Sequence, residues 1–338
     1  MKETRAIVAA LLDSDAPAAV LATLVSVEGS SYRRPGARLL VCPNGTRLGS
    51  ISGGCLEEDI IARAVNVQTS GIPETVVYDT TSENDLVWGV GLGCHGIVRV
   101  LLERVPARPA WALALDQSFA RRRTTALAVV YGQGDPATWG TRLAAPGDCA
   151  DPECLFVDLI ATPPRLVIFG AGDDAQPLVR LARELGWQIT VADPRATFAT
   201  TERFPEADTL VVAAAEDLVG KVAPGADTLA VVMTHRYVHD VPILRRLLPL
   251  PLAYLGLLGP KKRTEKILTD LETAGMVVSP EQRARLYAPV GLDLGADSPD
   301  QVALSILAEM QAVLSGRNAR PLRERTRPIH ESLAPQTP

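Results

Sequence analysis

Apolar and polar positions follow different rules in the two halves of the chain. Between residues 165 and 315, apolar runs of four to seven residues (166–169, 188–192, 209–213, 228–233 and 252–258) are separated by stretches of helical spacing. Strands buried on both faces read as near-continuous apolar runs, and strand–helix alternation predicts a Rossmann-like doubly wound parallel sheet. The closing helix carries its own start signal: Ser298 caps it, Pro299 takes its first turn and Gln301 completes a capping box. Val302, Ala303, Ile306, Leu307, Met310, Val313 and Leu314 then form one apolar stripe.

Residues 1–145 mix the two periods. A helical segment to Asp13 leads to a strand at 18–27, a Gly-, Ser- and Arg-rich turn at 28–38 and a second strand at 39–42. Asn44-Gly45 supplies a two-residue hairpin turn, because both residues tolerate positive φ. Residues 56–68 have helical spacing, with Ile60, Ile61, Ala64 and Val65 apolar, and strand-like runs recur at 74–78, 96–103 and 126–131. The pattern predicts an α/β protein: an N-terminal α/β domain over 1–145, a proline-rich linker over 146–164, the Rossmann-like domain over 165–315 and a polar, disordered tail over 316–338.

Composition narrows the function classes. A formal net charge of −5 leaves no global basic footprint, so no nucleic-acid partner is expected. The most apolar stretch, 247–259, is too short to span a bilayer and is broken by Pro249 and Pro251, so no membrane partner is expected either. The apolar segment 6–12 is flanked by Glu3, Asp13 and Asp15 without a small-residue cleavage site. It reads as a short amphipathic helix, and the expected location is cytoplasmic. Five cysteines are an odd number for a disulfide framework, and reduced thiols are expected.

Glycine loops carry the candidate chemistry. The run 166–169 leads directly into Gly170-Ala171-Gly172-Asp173-Asp174-Ala175 and then a helical stretch, the G-x-G-x-x-G/A arrangement in its strand–turn–helix setting. Gly170 permits the tight turn, Gly172 lets backbone N–H groups approach a pyrophosphate, and Ala175 permits close helix packing. Asp193 ends the next strand, where an acid accepts bonds from a ribose 2′-OH, so NAD(P) or another nucleotide is a candidate ligand. Asp173 and Asp174 stand where a phosphate would meet the helix N-terminus; one of them can cap the helix, and both would repel an anion. His235 and His239 lie four apart at a strand-to-helix junction. They suit a phosphate, a base or a metal, or else one caps the helix and the other lies on its solvated face.

A second kind of loop sets cysteine beside glycine. Ser50-Ile51-Ser52-Gly53-Gly54-Cys55 meets the helical segment 56–68, where loop N–H groups and the positive end of the helix would favour a nucleophilic or metal-binding thiolate. The same N–H groups could cradle an anion. Gly91-Leu92-Gly93-Cys94-His95-Gly96 repeats the chemistry. Converging loops would offer two thiolates (Cys55 and Cys94), the His95 imidazole and a cradle of amides, suited to a soft metal or a thiol-reactive cofactor. Tetrahedral zinc fits less well, because neither loop has a C-x-x-C pair. In the turn 29–38, Arg33 with Arg34 and Arg38 suits a phosphate, or else forms a solvated turn.

These stretches resemble the XdhC/CoxI family, the accessory factors of xanthine dehydrogenase and related molybdenum hydroxylases. The resemblance runs through "GSSYRRPGARLLV", "GSISGGCLEEDI", "GLGCHG", "LVIFGAGDDAQPL", "VMTHRYVHDVPIL", "YLGLLGPKKRT" and "APVGLDLGADSPDQVALSILAE". It implies a non-catalytic maturation role: binding the molybdenum cofactor transiently, protecting it while a cysteine desulfurase replaces an oxo ligand by sulfide, and delivering it to the apo xanthine dehydrogenase. Cys55 and Cys94 would then stand nearest the cofactor, with Gly53 and Gly54 as amide donors. Asp173 departs from the family, which often has His after Gly-Ala-Gly. An NAD(P)-dependent oxidoreductase built on Gly170, Gly172 and Asp193 is the competing expectation, and an interaction scaffold the third. A homodimer is expected, closed twofold assemblies being the commonest oligomers.

Overall fold

The structure, a computed structural model, describes residues 1–13, 17–79, 96–326 and 329. The chain divides into two compact units, Met1–Thr162 and the residues from Pro163 onward.

The first unit opens with α1 (Lys2–Leu12), β1 (Ala19–Gly29), β2 (Arg38–Val41), β3 (Arg47–Gly49), α2 (Glu57–Ser70), β4 (Glu74–Asp79) and β5 (Gly96–Val105). The strands form an antiparallel sheet in the order β3-β2-β1-β5-β4. The two-residue turn expected at Asn44-Gly45 is corrected: the β2–β3 hairpin closes over Pro43, Asn44 and Gly45, with the Cys42 N–H donating to the Thr46 carbonyl oxygen, and of the two predicted residues Gly45 alone takes positive φ (85). Side-chain alternation along β1 sends Val20, Ala22 and Leu24 to the face covered by Ile60, Ala64 and Val67 of α2. Leu21 points the other way, into a core shared with Ile7 and Leu11 of α1 and with α3 (Ala110–Ala120).

A three-stranded antiparallel sheet, in the order β7-β6-β8, completes this unit: β6 (Thr125–Val130), β7 (Gly140–Leu143) and β8 (Leu155–Ile160). The expected linker 146–164 is therefore corrected. It contains β8, which pairs with β6 from Thr125↔Ile160 to Val130↔Leu155. The prolines that suggested a linker, Pro146, Pro152, Pro163 and Pro164, all fall outside the strand, where a missing N–H costs no ladder bond.

The second unit contains β9 (Arg165–Phe169), α4 (Ala175–Glu184), β10 (Gln188–Asp193), β11 (Thr209–Val212), α5 (Ala215–Val222), β12 (Thr228–Val232), α6 (Tyr237–Leu247), β13 (Tyr254–Leu257), α7 (Lys261–Thr273), α8 (Pro280–Ala284), β14 (Leu286–Tyr287) and α9 (Pro299–Leu314). Its six strands are parallel in the order β11-β10-β9-β12-β13-β14, the doubly wound order 3-2-1-4-5-6. Leu166 and Ile168 pack beneath Leu178 of α4 and Ile306 of α9. Val167 and Phe169 face Leu218, Leu244 and Ile267 of α5, α6 and α7. Both bonds of the capping box at Ser298 and Gln301 are present, and Ala303, Ile306, Leu307 and Met310 of the predicted stripe are buried. Beyond α9, a 3-10 turn at Leu322–Glu324 lies within the stretch expected to be disordered. Among the described residues no helix is long and apolar enough to cross a membrane.

Candidate functional site

In the first unit, the loops predicted to carry chemistry leave one end of the five-stranded sheet. The turn after β1 and the loop between β3 and α2 both start there. β4 meets β5 there too, through Asp79↔Ile97, and β1 meets β5 through Gly29↔Gly96. Gly93, Cys94 and His95 lie outside the described residues. The other two loops touch. Gly53 adopts φ +83, and the Tyr32 ring lies with Cε1 2.9 Å from where a Cβ would stand, so a residue without a side chain is what admits the ring. Tyr32 itself is 63% exposed.

The amides that the sequence assigned to a thiolate or a bound anion are already engaged. Glu57, in the first turn of α2, turns its carboxylate back into the loop. Its Oε1 accepts from the N–H groups of Ile51 (3.0 Å), Ser52 (2.8 Å) and Gly53 (3.2 Å), and its Oε2 from that of Gly54 (2.8 Å). The hydroxyls of Ser50 (2.9 Å) and Ser52 donate to the same carboxylate. Burial alone would raise the Glu57 pKa, but the donors from Ser52, Ser50 and Ile51 outweigh it and hold the value down to about 2. Cys55 is a free, exposed thiol whose Sγ lies 3.8 Å from the Ser52 carbonyl oxygen. Glu57, Glu58 and Asp59 together face the positive end of α2. Glu57 is absent from the residues that the sequence nominates. The available signal was an acid in the first turn of a helix entered through Ser and Gly, the setting in which a side chain reaches back to preceding amides.

Arg33, expected at a phosphate, has its guanidinium fork on Glu3 of α1, with Nη1–Oε1 at 3.1 Å and Nη2–Oε2 at 2.5 Å. Arg38 is buried and donates to Asp158 of β8 at 2.7 Å.

The glycine loop of the second unit keeps its predicted turn. Gly170 has φ +125, and a Cβ there would stand 2.5 Å from the Met233 carbonyl oxygen at the end of β12. Ala175 is fully buried, as close helix packing requires. The polar residues depart from expectation. Asp174 has helical angles (φ −72, ψ −17) and makes no cap bond, since capping needs extended backbone at that position. Its Oδ2 instead meets His235 Nε2 at 2.7 Å, and its Oδ1 lies 2.5 Å from where a Cβ on Gly172 would stand. The bond from Asp174 raises the His235 pKa above 6.5 against the opposing effect of burial. Asp173 pairs with Arg203 at 2.9 Å.

Asp193 is fully buried, and both of its oxygens have partners. Oδ2 accepts from the Ala171 N–H (2.7 Å) and Arg195 Nη2 (2.8 Å), Oδ1 from the Arg195 backbone N–H (2.8 Å) and Nε (2.9 Å). The acid read as a ribose acceptor ties the glycine loop to the end of β10. Neither histidine caps α6: His235 is held by Asp174, and the buried His239 Nδ1 has no hydrogen-bond partner among the described residues.

Comparison with known proteins bears on both units. The XdhC and CoxI family description matches residues 13–79, and the XdhC Rossmann domain matches residues 166–310. A protein of Bacillus subtilis (strain 168), described as a probable xanthine dehydrogenase subunit, is 33% identical over 321 residues, 89% of this chain and 94% of its own. The chain belongs to the XdhC and CoxI family. It also resembles the molybdenum cofactor insertion chaperone PaoD of Escherichia coli (strain K12), at 26% identity over 87% of this chain and 83% of that one. A crystal structure described as a xanthine dehydrogenase from Bacillus halodurans superposes with a TM-score of 0.81 at 31% identity, covering 96% of this chain and 99% of the other. The XdhC and CoxI match contains Tyr32, Cys55 and Glu57; the Rossmann match contains Asp174, Asp193 and His235.

Proposed function

We propose that this XdhC and CoxI family member is a maturation factor for a molybdenum hydroxylase. It binds the molybdenum cofactor as cargo, supports its sulfuration by a cysteine desulfurase and delivers it to an apo xanthine dehydrogenase or related enzyme, without a reaction of its own. The observation that carries this reading is the exposed Cys55 thiol on a glycine loop tied down by Glu57 and touched by Tyr32. A soft thiol ligand suits molybdenum, and an outward-facing one suits cargo that must be released again. The descriptions of two relatives, one a cofactor insertion chaperone and the other part of a xanthine dehydrogenase, agree with a protein that serves such an enzyme. Cys94 as a second thiol ligand, a cytoplasmic location and a homodimer belong to the same proposal.

The test is anaerobic mixing with isolated molybdenum cofactor, followed by gel filtration with metal and pterin measured in the protein peak. Co-elution of both near stoichiometric amounts is expected, and at least a tenfold weaker retention by the Cys55→Ala, Cys94→Ala double variant. A folded wild type that retains neither metal nor pterin overturns the reading.

The parallel order of the second sheet favours one alternative, an NAD(P)-dependent oxidoreductase. It has less support, because Asp193 is engaged by Ala171 and Arg195, and Asp173 and Asp174 stand at the helix start where a diphosphate would lie. Heat on calorimetric titration with NAD or NADP would restore it.

A further inference from the structure

We infer that Glu57 is the positioning residue of the cargo loop, fixing the backbone of residues 50–54 from inside so that the Cys55 thiol is presented outward. This rests on the reading of Cys55 as a ligand for the molybdenum cofactor.

The loop contains two adjacent glycines, Gly53 at φ +83 and Gly54 at φ +128, and its sequence alone would leave it many conformations. One carboxylate removes that freedom. Four successive N–H groups, from Ile51 to Gly54, converge on it together with the Ser50 and Ser52 hydroxyls. The carboxylate stands on α2, whose Ile60, Ala64 and Val67 are buried against the sheet, so the Glu57 side chain ties the loop to the core together with Ile51, whose own side chain is buried there. Cys55 follows the last of these amides directly and precedes the buried Leu56. Its position is therefore set on both sides while its thiol stays exposed. With four amides facing Glu57, they are not offered to an anionic group of the cargo, and the thiol is the group this loop presents.

Charge is what the arrangement requires. A Gln at position 57 has the same shape but one acceptor oxygen, and its NH2 group would meet N–H donors head-on. A merely structural role would change the fraction of folded protein and leave the thiol's reactivity within the folded protein unchanged.

The experiment compares full-length wild type, Glu57→Gln and Glu57→Asp by three measurements. These are thermal unfolding, iodoacetamide alkylation at Cys55 read by mass spectrometry, and anaerobic binding of isolated molybdenum cofactor. Expected for Glu57→Gln are cooperative unfolding, alkylation at least threefold faster and cofactor binding at least tenfold weaker. Glu57→Asp, which keeps the charge on a shorter arm, should fall between it and the wild type in both. Wild-type alkylation and binding by folded Glu57→Gln overturn the proposal. If Glu57→Gln does not fold, Glu57→Asp carries the test, and wild-type values there overturn it. A wild type that binds no cofactor removes the underlying reading of function, whereas the alkylation rates still decide whether Glu57 positions the thiol.

Discussion

In the 50–55 loop of the first unit, one carboxylate takes all its hydrogen bonds from four amides and two hydroxyls. In the 170–174 loop of the second, each carboxylate meets a cationic or imidazole side chain, Asp173 with Arg203 and Asp174 with His235, while the buried Asp193 at the end of β10 takes the Ala171 N–H and Arg195. Both loops read in sequence as cradles for an outside anion, and in both an internal acid faces the donors. A glycine-rich loop reports a supply of N–H groups, while the acceptor is chosen by residues elsewhere. The type of partner then sets how each loop responds to change. Amides held by backbone geometry respond to backbone strain and to loss of the acceptor's charge, whereas exposed ion pairs exchange readily with water and salt.

Gly170 and Gly53 break this comparison most strongly. A Cβ on Gly170 would meet the Met233 backbone carbonyl at 2.5 Å with φ at +125, and a strand end cannot step aside without disturbing β12. Gly170→Ala is expected to cost about 3 kcal/mol, from overpacking and φ strain together. Gly53→Ala meets a side chain instead, the Tyr32 ring at 2.9 Å, and that ring can swing into solvent. Its cost should be about 1 kcal/mol, chiefly the strain of φ +83. Denaturant titration of both variants checks the ranking. Equal losses would mean that the Tyr32 contact is as unyielding as backbone.

The Glu57 cluster makes the next largest effect, and its sign follows from the pKa. The folded value, about 2, lies below the ordinary 4.5, so the stabilisation is present in full above pH 4.5 and is lost as pH falls from 4.5 toward 2. With solvent screening at the loop's outer face, the loss is about 1–2 kcal/mol. Acid titration of denaturant midpoints should show this slope in the wild type and not in Glu57→Gln. A Gln variant with the same acid slope would assign it to other carboxylates.

The sheet of the second unit was legible because strands buried on both faces, and a helix with Ser298 and Gln301 at its start, leave unambiguous local patterns. β8 was not, because its six residues sit among prolines that also mark linkers, and only the pairing with β6 distinguishes the two. At the candidate site, the glycines and Cys55 were visible by residue type. The partners were not: Glu57 had a weak first-turn signal, and Arg203 on Asp173 or Glu3 on Arg33 depends on contacts that residue spacing does not encode. Position alone suggests Asp174 as a cap, but its helical backbone angles rule that out, and such angles are decided by the packing of α4.

The smallest effect concerns the Asp174–His235 pair, and it should run opposite in pH to Glu57. Asp174 raises the His235 pKa above 6.5, so the pair stabilises the fold fully below pH 6.5 and loses that contribution as pH rises through the folded value. The His235 side chain is 58% exposed, which limits the pair to about 0.5 kcal/mol. His235→Gln keeps the backbone demands of φ +57 similar while removing the titrating ring. Its denaturant midpoint should therefore fall slightly below the wild type at about pH 6, match it at about pH 9, and approach it at the lower pH in about 1 M salt. A deficit that persists at the higher pH would mean that the neutral imidazole already holds Asp174. The second loop would then depend on hydrogen-bond geometry, as the first does, rather than on exchangeable charge.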